Sequence, residues 1–314
     1  MILVTGGAGF IGSNLVRSLN KRGIKDIWIV DNLENGDKHK NLNRLEFSEI
    51  FDKREFIKML PGLPNKQFDI IFHQGACSST TEYNGRYLLE NNYEYSRSLL
   101  NYALVGQTPF IYASSASVYG DGNDGFKEEL TCEYPLNAYA YSKFLFDQYV
   151  RKIIGSAKSQ IIGLRYFNVY GPQENHKGSM ASVIFHFHNQ IQAEGKMKLF
   201  EGSAKFIRDF IYVQDVADVN LFFMDHPEKS GIVNCGTGKA ESFLKIAEIM
   251  QPLYGGAEIV YIPFPDKLKG KYQTFTQADP SNLRSAGYQK EFSSLEKGVT
   301  DYVSILKKSQ GFYR

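Results

Sequence analysis

Short apolar runs alternate with stretches of helical spacing through the first half of the chain, and this alternation predicts a parallel sheet covered by helices. Ile2–Thr5, Ile27–Val30, Ile70–His73, Phe110–Ser114 and Ile161–Tyr166 read as strands. Between them, Ser13–Lys21, Tyr93–Ala103 and Tyr139–Ile153 carry apolar residues at helical spacing, with Leu15, Val16 and Leu19 as the face the first helix would bury. After Gly171-Pro172 the pattern loosens, with turns at Gly195, Gly202 and Gly255-Gly256. Ile232–Cys235 reads as one more strand, ended by Gly236-Thr237-Gly238. The expected architecture is α/β: a doubly wound parallel sheet from residues 1–171 plus about 209–239, with a smaller, discontinuous α/β domain from about 172–208 and 240–314.

Composition narrows the function by exclusion. The chain has 314 residues, 43% hydrophobic and 22% charged, with a formal net charge of +2. That balance gives no electrostatic case for nucleic acid or a membrane surface. No apolar run approaches the roughly 18 residues of a membrane span. Cys77, Cys132 and Cys235 are odd in number and far apart, which fits neither a disulfide framework nor metal-ligand spacing and points to a reducing compartment. Met1–Thr5 already reads as a strand, leaving no room for a signal peptide, so a cytoplasmic protein is expected.

The strongest local signal is Thr5-Gly6-Gly7-Ala8-Gly9-Phe10-Ile11-Gly12, between the first strand and the first helix. A dinucleotide pyrophosphate needs close backbone approach and N–H donors at a helix N-terminus, and glycines at 6, 9 and 12 permit both. The loop follows a strand, opens a helix and is followed by Asp31 at the end of the next strand, the context of a Rossmann-type unit. Asp31 favours the free ribose hydroxyls of NAD, whereas Asn32, Lys38 and Lys53 could accept a 2′-phosphate. The residues alone leave NAD and NADP open.

A second signal is Asn137-Ala138-Tyr139-Ala140-Tyr141-Ser142-Lys143. Residues i and i+4 share a helix face, so Tyr139 and Lys143 sit together while Tyr141 points elsewhere. An ammonium beside a phenol is expected to lower its pKa, making it a usable acid or base for an alcohol–ketone interconversion. The pair follows Tyr112–Gly120, in which Ser115 can donate to a reacting oxygen or serve simply as a strand-end cap. His186 and His188, at i and i+2, do not face each other, so no metal site is expected there. Cys77 is expected to act as a small apolar residue.

With Arg165–Pro172 and Arg208–Val216 added, these segments resemble the extended short-chain dehydrogenase/reductases. Phe72–Thr81, His176–Val183 and Tyr261–Gln273 are similar to the ADP-L-glycero-D-manno-heptose 6-epimerase family, from Met1 to about Leu306; where that family usually has Glu, this chain has Gln74. The resemblance implies C6 epimerisation of an ADP-heptose for lipopolysaccharide core synthesis, NADP as cofactor, and a homo-oligomer, a pentamer. It implies cofactor contacts from the glycine loop with Phe10 and Ile11, from Asn32, Lys38 and Lys53, from Gln74, Gly75, Ala76, Cys77 and Ser78, and from Asn91, Lys143 and Val169. Substrate contacts would come from Asn168, Ser179, His186, Phe200, Glu201, Gly202, Ser203, Arg208 and Tyr272, with Arg208 on the diphosphate. Lys177 would be a second acid/base opposite Tyr139. By spacing alone it is a solvated loop lysine. Two other readings share much of the pattern: a UDP-hexose 4-epimerase, which would not need Lys177, and a non-catalytic NADP-sensing module. A 4,6-dehydratase would have Thr-Asp-Glu where this chain has Ser115-Ala116-Ser117.

Overall fold

A computed structural model describes residues 1–265 and 273–314; Tyr272, expected at the substrate, lies outside the described residues. Seven strands form one parallel sheet in the order β10-β6-β5-β4-β1-β2-β3. They are β1 Ile2–Thr5, β2 Ile27–Asp31, β3 Glu49–Asp52, β4 Ile70–His73, β5 Phe110–Ser115, β6 Ile161–Tyr166 and β10 Gly231–Cys235. Every predicted strand is present, and Ile232–Cys235 joins the sheet by pairing in parallel with β6. The inner strands are apolar along both faces, as a sheet covered on both sides requires. The edge strand β3 was not legible: in Glu49-Ile50-Phe51-Asp52 only two residues are apolar, and Phe51 reaches its place by packing on Trp28 at 4.8 Å.

Chain direction around β1 creates the crevice. β1 lies between β2 and β4, with Thr5 level with both Val30 and His73, so the loops leaving β1 and β4 part at the carboxyl edge. That reversal of strand order is where open α/β sheets bind ligands. The first helix spans Phe10–Lys21, three residues longer than its periodicity indicated, and buries Leu15, Val16 and Leu19 against Val216 and Val219. The helix expected over Tyr93–Ala103 runs from Tyr95 to Val105, after a wide π-type turn over Leu89–Glu94. The Tyr139 helix spans Ala138–Ile153, capped by Asn137, whose side chain accepts the Ala140 amide at 2.8 Å.

A fully buried ionic cluster ties that helix to the sheet. Arg165 on β6 donates to Asp147 through Nε at 3.0 Å and Nη2 at 2.9 Å, and to Glu133 at 2.6 Å. Tyr112 and Ser114 on β5 donate to the same Asp147 carboxylate, at 2.8 and 2.9 Å. The helix position is therefore fixed relative to Ser115, one residue beyond Ser114.

The remaining strands form two small sheets: β7 Asn168–Tyr170, β9 Ile207–Tyr212 and β11 Ala240–Ser242 in one, and β8 Lys196–Phe200 with β12 Glu258–Ile262 in the other. A separate apolar core, including Ile184, Phe187, Met197, Ile246 and Tyr302, underlies them. Among the described residues, no helix is long and apolar enough to cross a membrane.

Candidate active site

The crevice at the strand-order reversal is a cavity of about 560 Å³, and the glycine loop forms its floor. Gly6 adopts φ +67°, and a Cβ there would lie 2.6 Å from the Gly75 amide; one on Gly12 would lie 2.1 Å from the Gly6 carbonyl. Any side chain would push the two loops apart. Gly9 caps the helix without a side chain, so the first helical amides have no side-chain acceptor and face the cavity from Phe10, Ile11 and Gly12. A diphosphate fits those donors.

Beneath the floor, His73 is buried between Thr5 Oγ1 at 2.6 Å and Ser96 Oγ at 2.7 Å. The Ser96 hydroxyl spends its hydrogen on the Asn92 carbonyl, so His73 Nε2 must be the donor to Ser96 and Nδ1 the acceptor from Thr5. Thr5 Oγ1 in turn accepts the Gly75 amide at 3.2 Å. Burial lowers the His73 pKa to about 3, which keeps the ring neutral and the chain intact. Asn92 holds the next stretch of loop, accepting the Cys77 amide at 2.8 Å and donating to its carbonyl at 3.0 Å.

At one end of the cavity, Asp31 accepts the Ala8 amide at 2.9 Å with one oxygen and the Lys38 ammonium at 2.8 Å with the other. Lys38 also donates to Asn32 Oδ1 at 2.6 Å, and Lys53 to Asn91 Oδ1 at 2.5 Å. Burial lowers the Lys53 pKa. Lys38 is thus already paired with the Asp31 carboxylate, while Lys53, bonded to Asn91, lines the same cavity.

Ser115, Tyr139, Lys143 and Lys177 line the same cavity. Here an expectation needs correction. Burial raises the Tyr139 pKa, and the Ser115 hydroxyl only partly opposes it. Lys143 donates to the Ala113 carbonyl at 2.9 Å, and its own pKa falls to about 8 because desolvation outweighs the pull of Asp147. In the protein alone, Lys143 therefore does not bring the phenol toward neutrality. Lys177 is no solvated lysine: its ammonium lies over the Phe10 ring at 4.9 Å and 3.9 Å from buried Glu174, and desolvation lowers its pKa.

All the expected cofactor residues line this one cavity: Gly6, Gly9, Phe10, Ile11 and Gly12, then Asp31, Asn32, Lys38 and Lys53, then Gln74, Gly75, Ala76, Cys77 and Ser78, with Asn91, Lys143 and Val169. The expected substrate residues Asn168, Ser179, His186, Phe200, Glu201, Gly202, Ser203 and Arg208 do not line it. Asn168 and Arg208 come together on β7 and β9 beside Gln273–Thr276: Thr276 Oγ1 donates to Asn168 Oδ1 at 3.4 Å, and Arg208 donates to the Ile207 carbonyl at 2.9 Å and to that of Gln273. Phe200 meets Phe264 edge to face at 5.4 Å, and His186 meets the Ser179 carbonyl at 3.4 Å. Residue patterns alone missed Thr80, Tyr87, His176 and Met180, which complete the cavity wall; Thr80 donates to Met180 Sδ at 3.7 Å, bridging two loops far apart in sequence. Thr80, His176 and Met180 lie in segments that carry the family resemblance, without a role assigned to them; Tyr87 had no such signal.

Gln74 occupies a neutral triangle. Its amide donates to Asn220 Oδ1 at 3.1 Å, its carbonyl accepts Tyr166 OH at 2.9 Å, and Asn220 donates to that phenol oxygen at 3.0 Å. A glutamate would lack the donor that closes the triangle.

Taken together, the strand-order reversal, the glycine cradle and the buried Tyr139–Lys143 helix define a nicotinamide-dinucleotide enzyme of the short-chain dehydrogenase/reductase type. The chain belongs to the NAD dependent epimerase/dehydratase family, whose model matches residues 2–236. It is 56% identical over 316 residues to the ADP-L-glycero-D-manno-heptose-6-epimerase of Brachyspira hyodysenteriae, with 99% of each chain covered. Among solved structures it resembles the Helicobacter pylori ADP-L-glycero-D-manno-heptose-6-epimerase, with TM-score 0.85 and 32% identity over 98% of this chain and 96% of that one. The Thermus thermophilus UDP-glucose 4-epimerase in complex with NAD is similar at TM-score 0.81 and 25% identity, covering 98% and 99%. The family resemblance drawn from the residues is borne out.

Proposed function

We propose that this chain inverts C6 of ADP-D-glycero-D-manno-heptose to give ADP-L-glycero-D-manno-heptose, with NADP as cofactor, for lipopolysaccharide core precursors. The observation that carries the reading is that Tyr139 and Lys177, two groups able to move a proton, share one cavity with the phosphate cradle, in a chain 56% identical along its length to an enzyme of that name.

The C6 hydrogen is not acidic, so inversion there calls for transient oxidation, the chemistry a bound nicotinamide supplies. The chain's own residues handle protons and position. Tyr139 takes the proton of the C6 hydroxyl, with Ser115 donating to the same oxygen, and the proton of the re-formed hydroxyl comes from Lys177. After the ketone has turned, its oxygen lies elsewhere, and Lys177 serves that second position. Desolvation favours this role by making the Lys177 ammonium a readier proton donor. Lys143, anchored on Ala113, holds the nicotinamide ribose. Arg208 takes the diphosphate, and Asn168, Ser179, His186, Phe200–Ser203 and Tyr272 enclose the rest of the substrate, from a domain of about 172–208 and 240–314. Lys38 and Lys53 favour NADP, and the enzyme is read as a cytoplasmic homo-oligomer.

Incubation of the purified protein with ADP-D-glycero-D-manno-heptose, followed by NMR of the product, tests the reading. Inversion at C6 is expected. No turnover there, together with conversion of UDP-galactose, would overturn it in favour of a UDP-hexose 4-epimerase.

A further inference from the structure

Lys177 sits in a short 3-10 turn, Asn175–Met180, which has little internal support. Its own bonds are Lys177 N to Glu174 O at 2.9 Å and Ala181 N to Gly178 O at 3.1 Å. Ser182 donates to Glu174 nearby, and further anchorage comes from distant parts of the chain, Asn35 and Asn41 donating to the His176 and Gln173 carbonyls among them. Two of these bonds come from the residues that follow the helix Leu295–Ser309. The Gln173 amide donates to the Gly311 carbonyl at 2.8 Å, and Asn175 Nδ2 donates to the Gln310 carbonyl at 2.7 Å.

These two carbonyls face the turn because the chain reverses there with left-handed backbone, φ +55° at Gln310 and +89° at Gly311. A Cβ on Gly311 would approach Asn175 Oδ1 to 2.9 Å, so the close approach depends on glycine. The segment then locks onto the helix that opens the cradle. Tyr313 OH donates to Asn14 Oδ1 at 3.1 Å, and Arg17 stacks over the Tyr313 ring at 3.7 Å. Asn14 Nδ2 donates both to the Pro172 carbonyl at 3.0 Å and to the Phe10 carbonyl at 2.8 Å, and the Phe10 ring lies under the Lys177 ammonium. The contacts close a circuit from the last helix, through the turn and the cradle helix, back to Lys177.

We propose that Gln310–Tyr313 is a clasp that positions Lys177 on the cavity wall, with Gly311 and Tyr313 as its positioning residues. The catalytic consequence rests on Lys177 being the second acid/base, whereas the mechanical one does not. The experiment separates them. A chain ended at Ser309 and a Tyr313→Ala variant are each made with Lys177 intact and as Lys177→Met. Reductive methylation with formaldehyde and cyanoborohydride, followed by peptide mass mapping, reads the exposure of Lys177, and steady-state kinetics read kcat and KM.

Release of the clasp should speed Lys177 methylation by about tenfold and lower kcat by about tenfold with KM moving less than about threefold. In the Lys177→Met background the same release should cost less than about twofold further, since a positioning residue has nothing left to position. Unchanged methylation of Lys177 in folded Tyr313→Ala and Ser309-ended chains overturns the clasp, as do equal losses of kcat in both backgrounds. Faster methylation with kcat untouched by either the clasp variants or Lys177→Met keeps the mechanical clasp and overturns Lys177 as an acid/base. If the shortened chain fails to fold, Tyr313→Ala carries the test.

Discussion

Lys38 donates its ammonium proton to the Asp31 carboxylate at 2.8 Å, while the other Asp31 oxygen accepts the amide of Ala8 in the glycine loop. A lone aspartate at this place selects for free ribose hydroxyls, but its charge is here offset by a partner that can also meet a phosphate. Denaturing the purified protein and identifying the released cofactor by mass should yield NADP. Lys38→Ala should weaken NADP binding by about 1–3 kcal/mol, the scale of a charge-assisted bond, and leave NAD nearly unaffected. Recovery of NAD alone, with no change in Lys38→Ala, would make Asp31 the deciding residue.

Buried His73 gives the fold a specific sensitivity to acid. Its pKa is near 3 in the folded chain and 6.5 in the unfolded one, so the unfolded chain binds more protons between these values. The stability it contributes is complete above pH 6.5 and is lost as the pH falls toward 3. His176, lowered to about 4 by burial with Lys38 and Lys177 nearby, acts in the same direction. Urea unfolding at stepped pH should show stability falling by about 1.4 kcal/mol per unit per histidine through this window. The slope should be shallower in His73→Gln.

How much of this was legible follows from where the signal lies. The glycine loop and Tyr139/Lys143 are contiguous motifs on a strand–helix alternation, and both could be read from spacing. Thr80 and Met180 form one wall only because the chain brings residues a hundred positions apart into contact; both lie in segments that resemble the epimerase family, but spacing alone gives neither a role. The small sheets escaped notice because strands such as β7 and β11 have three residues each and pair non-locally. The direction of the Tyr139 shift was missed for a related reason: spacing brings lysine near tyrosine, but only the fold reveals how completely both are buried.

Lys143 should set an alkaline limit on activity. With its pKa lowered to about 8, it is charged below that pH and neutral above it. In the proposed role, its hold on the nicotinamide ribose weakens as it loses its charge. kcat/KM should therefore fall above about pH 8. Lys143→Arg, whose guanidinium stays charged, should be slower at neutral pH but should lack this limb. An unchanged alkaline limb in that variant would assign it to another group.

Arg208 is held among the Ile207 and Gln273 carbonyls and over the Phe243 ring at 5.8 Å, beside the segment that follows β12. A diphosphate contact is present in ground and transition states alike, so Arg208→Ala should chiefly raise KM, by about 1–3 kcal/mol. A variant with KM unchanged would place Arg208 outside the site.

Inversion at C6 by transient oxidation carries a stricter signature than activity alone. The hydrogen that leaves C6 would return to the same carbon without exchange, because a bound nicotinamide, which does not trade that hydride with water, would carry it between the two steps. In D₂O the product should therefore carry no deuterium at C6, and NMR or mass analysis of the product reads this directly. Deuterium there would rule out the redox route. In the proposed mechanism the proton side divides between two residues, because one tyrosine cannot follow the oxygen to its second position after the ketone turns. Tyr139→Phe and Lys177→Met should each lower kcat by about 10²-fold or more, the scale of lost general acid–base help, with substrate binding little altered. Lys177 is already desolvated over Phe10, so replacing it with Met removes the amine while keeping a side chain suited to the same apolar contact. Full activity in that variant would leave Tyr139 as the single acid/base.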